Sequence, residues 1–380
     1  MSLRDVAIVS TSALEPWDDR NPWTKGIGGS ETSAIECATR LYKRGFDVKS
    51  FTPLNGIEPR QGLYPMPWGN SQSGDFDAGD YRVLINYRAP ELFDAPKPHG
   101  AKWWFVSQDV DYGDANTEER RAKIDRYLCL CKTHARYILE KYPDLRGRVY
   151  ISSNGIRSEI IRPLIYGESV RNPITGNFIK PYDRNPRRLF YASSPDRGIK
   201  LILENWFRIR ERVPEAELVI AYGLDNMETI IRRMAGQDWR AGYAKELEAL
   251  FQQDGVTFTG RIDQGRIYEE WLKSNICPIL TDFPETNMIC CQEAQALGAW
   301  PVANDLWAPG EFVRYGDLFQ GTPQKSQVLL HTMLSTICDR LLEPPAEEAR
   351  REMQEWALAS FDWERTVTQW DNWLQEDLRK

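Results

Sequence analysis

Short apolar runs rich in β-branched and aromatic residues recur along this chain. Each is followed by a stretch whose apolar positions fall three or four residues apart. In the first half the strand-like runs are "DVAIVSTS" (5–12), "DVKSFTP" (47–53), "RVLINY" (82–87), "KWWFVSQD" (102–109), "RYLCLC" (126–131) and "RVYISSN" (148–154). Between the first two lies "SETSAIECATRLYKRG", where Ala34, Cys37, Leu41 and Arg44 keep helical spacing and Gly45 closes the helix. Such alternation predicts a parallel sheet with helices on both faces.

The stretch 166–186, "YGESVRNPITGNFIKPYDRNP", is rich in Pro, Gly and Asn and has no period, so it reads as a connection between domains. The pattern then restarts with "RRLFYASS" (187–194), a helix around 198–212, "AELVIAYG" (216–223), helices through 252, and "VTFTG" (256–260). A helix near 264–274, "ICPILT" (276–281), a helix near 287–298 and "WPVAND" (300–305) follow. The chain thus predicts two Rossmann-like, doubly wound domains in tandem, 1–175 and 176–360. A terminal helix, 361–380, carries Trp363, Val367, Trp370 and Leu374 on one stripe.

Composition narrows the function classes. The 380 residues exceed what one core usually supports. A formal charge of -7 argues against nonspecific nucleic-acid binding while leaving room for a local basic pocket. Seven cysteines, too sparse for a disulfide framework, and the absence of a signal-like N-terminus or a long apolar run predict a cytoplasmic protein with no transmembrane segment. Peripheral contact with a membrane stays open. Three scattered histidines, His99, His134 and His331, offer no zinc constellation.

Ligands of doubly wound sheets sit at the carboxyl ends of strands, beside the following helices. Three loops there carry unusual chemistry. In "KGIGGSETSA" (25–34), Gly26, Gly28 and Gly29 allow close backbone approach, and Ser30 is placed to cap a helix whose first amides attract phosphate. The third glycine of a dinucleotide fingerprint would fall at Glu31, and no Walker lysine follows, so both motifs fail. In "YASSPDRGIK" (191–200), Ser193, Ser194, Arg197 and Lys200 suit a diphosphate or, equally, a capped helix with solvated basic residues. The third loop is "TDFPETNMICCQEAQALG" (281–298), with Glu285 in the loop and a helix expected from Thr286 or Asn287. Eight helical residues separate two side chains by about 12 Å of rise and ~80° of rotation, so Glu285 and Glu293 cannot share a proton. They fit two separate anchors on one elongated ligand. Cys290 and Cys291, with no basic neighbour in sequence, read as core packing. In "ALEPWDDRNPWTK" (13–25), Trp17 and Trp23 fit a sugar-stacking loop or plain loop packing equally well.

Taken in order, "GIGGSE", "SNGI", "SSPDRG", "FTGRID" and "FPETNMICCQEAQALGAWPV" with its E-x7-E make nearly the whole chain resemble the retaining glycosyltransferases of family 4, which have the GT-B fold. The resemblance implies two α/β domains facing a cleft, with the acceptor on the first, the donor on the second, and the C-terminal helix packed back on the first. It places Glu285 at the donor sugar, Glu293 on the ribose hydroxyls, and the amides of Thr286, Asn287 and Met288 over sugar and phosphates. Arg197 replaces the usual lysine of a K-G pair and, with Lys200, would face the diphosphate. Arg261 and Ile262 would border the nucleobase, and Gly28, Gly29 and Ser30 would close over the phosphates. The sequence departs from the family at "ASS", where an arginine is usual, and at Gln108, which stands for a histidine before Asp109. Asp109 is expected to meet sugar or acceptor.

The resemblance implies transfer of a sugar from a UDP- or GDP-linked donor to a hydroxyl on a glycan, a lipid-linked or a small-molecule acceptor, with the two domains closing on the donor. No cofactor or catalytic metal is implied, although "DVD" (109–111) and "DFD" (75–77) both match the D-x-D of another glycosyltransferase fold. A sugar-nucleotide 2-epimerase and a noncatalytic glycosyltransferase-like subunit are the rival readings.

Overall fold

Central strands of a sheet covered on both faces must be apolar on both faces, and β1 (Arg4–Ser10) meets that demand: Val6, Ala7, Ile8 and Val9 are all within 1% of full burial. A computed structural model describes residues 4–11, 15–54, 62–74, 76–224 and 239–379. Around β1 it assembles β2 (Val48–Thr52), β3 (Trp68–Asn70), β4 (Tyr81–Tyr87), β5 (Lys102–Val106), β6 (Arg126–Cys129) and β7 (Val149–Ile151). They form one sheet of order β3-β2-β1-β4-β5-β6-β7, parallel throughout. The strand order reverses between β1 and β4, which makes the carboxyl ends of that pair the expected ligand position.

A hairpin of β8 (Val170–Arg171) and β9 (Phe178–Ile179) follows, within the stretch that the sequence presents as a plain connection. Two-residue strands leave no alternation to detect. The second sheet contains β10 (Asn185–Tyr191), β11 (Glu217–Ile220), β12 (Val256–Phe258), β13 (Ser274–Ile279), β14 (Trp300–Asn304) and β15 (Asp317–Phe319). Its order is β12-β11-β10-β13-β14-β15, again parallel, with the reversal between β10 and β13. Strands β3 and β15, three residues each at sheet edges, are absent from the sequence-based list.

The chain divides into two compact units, one of residues 1–22, 27–155 and 361–380, the other of 23–26 and 156–360. The crossing at Gly155 and Ile156 precedes the Pro/Gly/Asn-rich stretch, because the helix Ser158–Ile165 packs in the second unit, where Ser158 Oγ donates to the Leu358 carbonyl and Arg162 pairs with Glu355. The terminal helix Trp363–Leu378 belongs to the first unit. Its stripe of Trp363, Val367, Trp370 and Leu374 is buried, Trp370 Nε1 donates to Ser152 Oγ at 2.6 Å, and Arg44 of the helix Gly29–Lys43 pairs with Glu364 and Asp371. Arg44, placed on an apolar stripe by spacing alone, thus serves as a helix-to-helix clamp. Among the described residues no helix is long and apolar enough to cross a membrane, and all seven cysteines are free thiols.

Candidate active site

In the first unit, loops after β1, β4 and β5 meet. The helix Gly29–Lys43 starts two residues earlier than Ser30 would allow as its cap; extended Gly28 takes the cap position, without a side-chain bond. Ser30, inside the first turn, instead receives a hydrogen bond from Arg88 Nη1 at 3.1 Å. Thr32 closes the turn by donating from Oγ1 to the Gly28 carbonyl. Gly29 is the first helical residue, so both glycines lie at the amides that the sequence singles out.

Arg88, which sequence reasoning missed, is the centre of this cluster. It stands one residue past β4 with φ at +63°, one of two described non-glycine residues in the left-handed region. Backbone strain of this kind persists only where surrounding contacts over-determine it. Here Arg88 donates to both carboxylate oxygens of Asp109, at 2.8 and 3.2 Å, and lies 4.0 Å from Glu31. Burial opposes its charge, but Asp109 and Glu31 outweigh that and hold the guanidinium above its ordinary pKa. The usable signal was positional: an arginine just past a strand run at the reversal of strand order.

Asp109 keeps 44% of its side chain exposed. Gln108 lies deeper, exchanging amide hydrogen bonds with buried Asn154 at 3.1 and 3.2 Å. His134 sits under the same loop, its Nδ1 accepting from the Leu130 amide and its ring near Ser107 Oγ; burial lowers its pKa to about 4 and keeps it neutral. The D-x-D pattern dissolves in three dimensions: Asp109 faces Arg88, while Asp111 is engaged by Lys141 and Tyr142. Asp75 of the other match lies outside the described residues. Among the described residues no group of three His, Cys, Asp or Glu is placed to hold a metal. Trp17 and Trp23 are both buried; Trp17 packs edge-on against Trp68, and Trp23 lies under Arg157 in the second unit.

The second unit repeats the construction at β10 and β13. After β10 the chain makes a short turn, Pro195–Arg197, pinned by Tyr191 and Tyr243 hydroxyls donating to the carbonyls of Ser194 and Pro195. Gly198 ends it at φ +110°, where a Cβ would lie 2.0 Å from the Leu280 carbonyl oxygen. Only glycine allows the β10 turn to press onto the end of β13. Buried Asn304 then holds Thr281 through both backbone groups at 2.9 Å, and the Ala308 amide donates to the Glu285 carbonyl.

This framing brings Arg197 Nε to 3.2 Å from Glu285 Oε1, with the guanidinium 3.2 Å above the Phe283 ring. Burial, partly countered by Arg197 and reinforced by Asp196, pushes the Glu285 carboxyl up to about 7. The helix bearing Glu293 begins at Ile289, two or three residues later than Thr286 or Asn287; those two and Met288 stay in the loop, buried or nearly so. The proline at 284 and the turn between the Glu285 amide and the Phe283 carbonyl delay the helix. Glu293 is buried and accepts from Gln264 Nε2 at 2.8 Å.

Lys200 is tied to Glu204 and Glu246, with its ammonium 5.5 Å from the Tyr243 ring. Arg261 and Ile262 follow β12, and Gly26 (φ +73°) lies against the Ile262 carbonyl, where a Cβ would stand 2.3 Å away. Cys290 and Cys291 have thiols raised by burial, Cys291 to about 12, which makes them inert packing.

With this geometry in place, known structures give the fold its name. The chain is similar over 98% of its own length and 98% of the other to a sucrose-phosphate synthase from Thermosynechococcus elongatus, at 14% identity and a TM-score of 0.68. It is similar to a glycosyltransferase from Rickettsia africae over 100% of both chains, with the same identity and TM-score. This is the GT-B fold. The catalytic domain of starch synthase IV from Arabidopsis thaliana, bound to ADP and acarbose, shares it over 100% of both chains at 11% identity and a TM-score of 0.62. No protein-family model and no curated protein matches the sequence. The GT-B fold expected from the ordered motifs therefore holds, at identities that carry the fold alone.

Proposed function

We propose that this protein is a retaining hexosyltransferase that moves a sugar from a nucleoside-diphosphate donor to a hydroxyl acceptor. The observation that carries the reading is the Arg197–Glu285 pair, brought to 3.2 Å by loops from the two strands where the second sheet reverses its order. A buried carboxyl pushed to about 7 beside a fixed guanidinium is a poor structural device and a good ligand site. Glu285 would hydrogen-bond the donor sugar. Arg197 and the amides of Thr286, Asn287 and Met288 would take the diphosphate, and Glu293 the ribose, with Arg261 and Ile262 along the base. Starch synthase IV, which shares the fold, holds ADP.

The acceptor oxygen attacks the anomeric carbon on the face from which the diphosphate departs. The bond to the β-phosphate oxygen breaks, and the acceptor proton passes to that oxygen, so configuration is retained and the nucleoside diphosphate leaves. Charge stabilisation on the departing phosphate is the main contribution asked of the protein. Asp109, fixed by Arg88 at the carboxyl ends of β4 and β5 with Ser30 bonded to the same arginine, is read as facing acceptor or sugar. Lys200, paired with two glutamates, is dropped from the diphosphate set.

Thermal-shift and calorimetric titration with UDP, GDP and ADP tests the donor reading: at least one must bind and stabilise the protein. Incubation with the corresponding sugar nucleotide, with and without an acceptor panel, then separates transfer from 2-epimerisation, because an epimeric donor formed without acceptor would replace the proposal. Binding of none would leave a GT-B protein without a nucleotide substrate.

A further inference from the structure

We infer that Gln264 is a positioning residue that sets the carboxylate of Glu293 for a ribose, making the Asp263–Gln264 corner the determinant of ribonucleotide over deoxyribonucleotide donors. This rests on the donor-site reading above. Glu293 is only 4% exposed, and a buried carboxylate is useful to a ligand only if its orientation is held before the ligand arrives. Gln264 Nε2 donates to Glu293 Oε1 at 2.8 Å, a neutral donor that orients the carboxylate without cancelling its charge.

Gln264 is itself held from three sides. It is the first residue of the helix Gln264–Lys273, whose start is capped by Asp263 Oδ1 accepting from the amides of Gly265 and Arg266 at 3.0 and 3.2 Å. Gly265 lets that first turn press on β9, since a Cβ there would come 2.9 Å from Ile179 Cγ1. Just before the cap, the Ile262 carbonyl is covered by Gly26. A turn fixed by a cap, a strand and a covering glycine has little backbone freedom, so Gln264 is presented to Glu293 from a fixed position, where its Nε2 makes the bond. Base-bordering Ile262 and ribose-orienting Gln264 then lie two residues apart on one rigid corner, which couples recognition of the two parts of a nucleoside.

The test uses the full-length protein, its Gln264→Leu and Gln264→Asn variants, and calorimetric binding of UDP, GDP and ADP beside their 2′-deoxy and 3′-deoxy counterparts. Wild type should favour the ribo form of whichever nucleotide binds. Gln264→Leu should weaken the ribo form about tenfold and leave a deoxy form unchanged, so that the ratio collapses. Gln264→Asn, which retains the amide, should fall between. The retained deoxy affinity reports that the variant is folded. Equal loss for ribo and deoxy forms, or no loss for either, overturns the assignment. A wild type that binds nucleotides without ribose preference also overturns it while sparing the donor reading. A wild type that binds no nucleotide defeats both.

Discussion

Each sheet carries an arginine–carboxylate pair at the carboxyl ends of its strands, Arg88 with Asp109 after β4 and β5 and Arg197 with Glu285 after β10 and β13, and the two pairs have opposite characters. Arg88 grips Asp109 with two hydrogen bonds, and the carboxylate remains nearly half exposed. Arg197 approaches Glu285 through one nitrogen while its plane lies on Phe283, and burial drives the Glu285 carboxyl up to about 7. Desolvation thus outweighs the neighbouring cation in the second pair. The two carboxylates differ chiefly in how far water reaches them, 44% of the side chain at Asp109 against 12% at Glu285. The backbone differs as well: a non-glycine residue, Arg88, carries the positive φ at the first pair, whereas beside the second pair it falls on Gly198, which adopts it without a Cβ penalty.

The largest expected effect comes from removing what presses the second pair together. Gly198→Ala forces a Cβ into the Leu280 carbonyl at a left-handed φ, and should cost on the order of 3 kcal/mol or more, measured by chemical denaturation. Glu285→Gln should lower transferase turnover by about 100-fold or more in a steady-state assay. The same variant should raise the melting temperature at pH 8. Because the folded pKa of Glu285 lies above its unfolded value, the folded protein binds the extra proton between about 4.5 and 7, and stability from this group is lost as pH rises through that window. The gain from glutamine should therefore vanish below pH 4.5; a pH-independent gain would contradict the burial argument.

In the first unit, Arg88→Ala and Arg88→Gly both remove the pair, but only alanine keeps the strained φ. The glycine variant should be the more stable of the two by about 1 kcal/mol, read from paired denaturation curves. Lys200→Ala should change least, by under about 0.5 kcal/mol in stability and less than twofold in nucleotide affinity. A loss of affinity of tenfold would restore Lys200 to the diphosphate.

Much of the fold was legible because buried parallel strands have to be written as apolar runs, and glycine-rich and glutamate-bearing loops stand out against them. Of the missed elements, the two-residue strands of the β8–β9 hairpin are too short to carry a period, and β3 and β15 are three-residue edge strands. The helix start at Ile289 and the cap at Gly28 were displaced by a residue or more, since local turn geometry around Pro284 and extended Gly28 decides them. Asp109 and Asp111 looked alike as a motif and separated in space.

The sequence by itself determined the two doubly wound halves, the buried stripe of the terminal helix, and the positions of Glu285, Glu293, Arg197 and the double glycine, because periodicity and residue type are local properties. Tertiary structure decided which polar side chains meet: Arg88 with Asp109, Arg197 with Glu285, Gln264 with Glu293, and Lys200 with Glu246. Those pairings join residues from 21 to 88 positions apart in the chain, brought together by strand order and close backbone packing, and neither is written in any single stretch of residues.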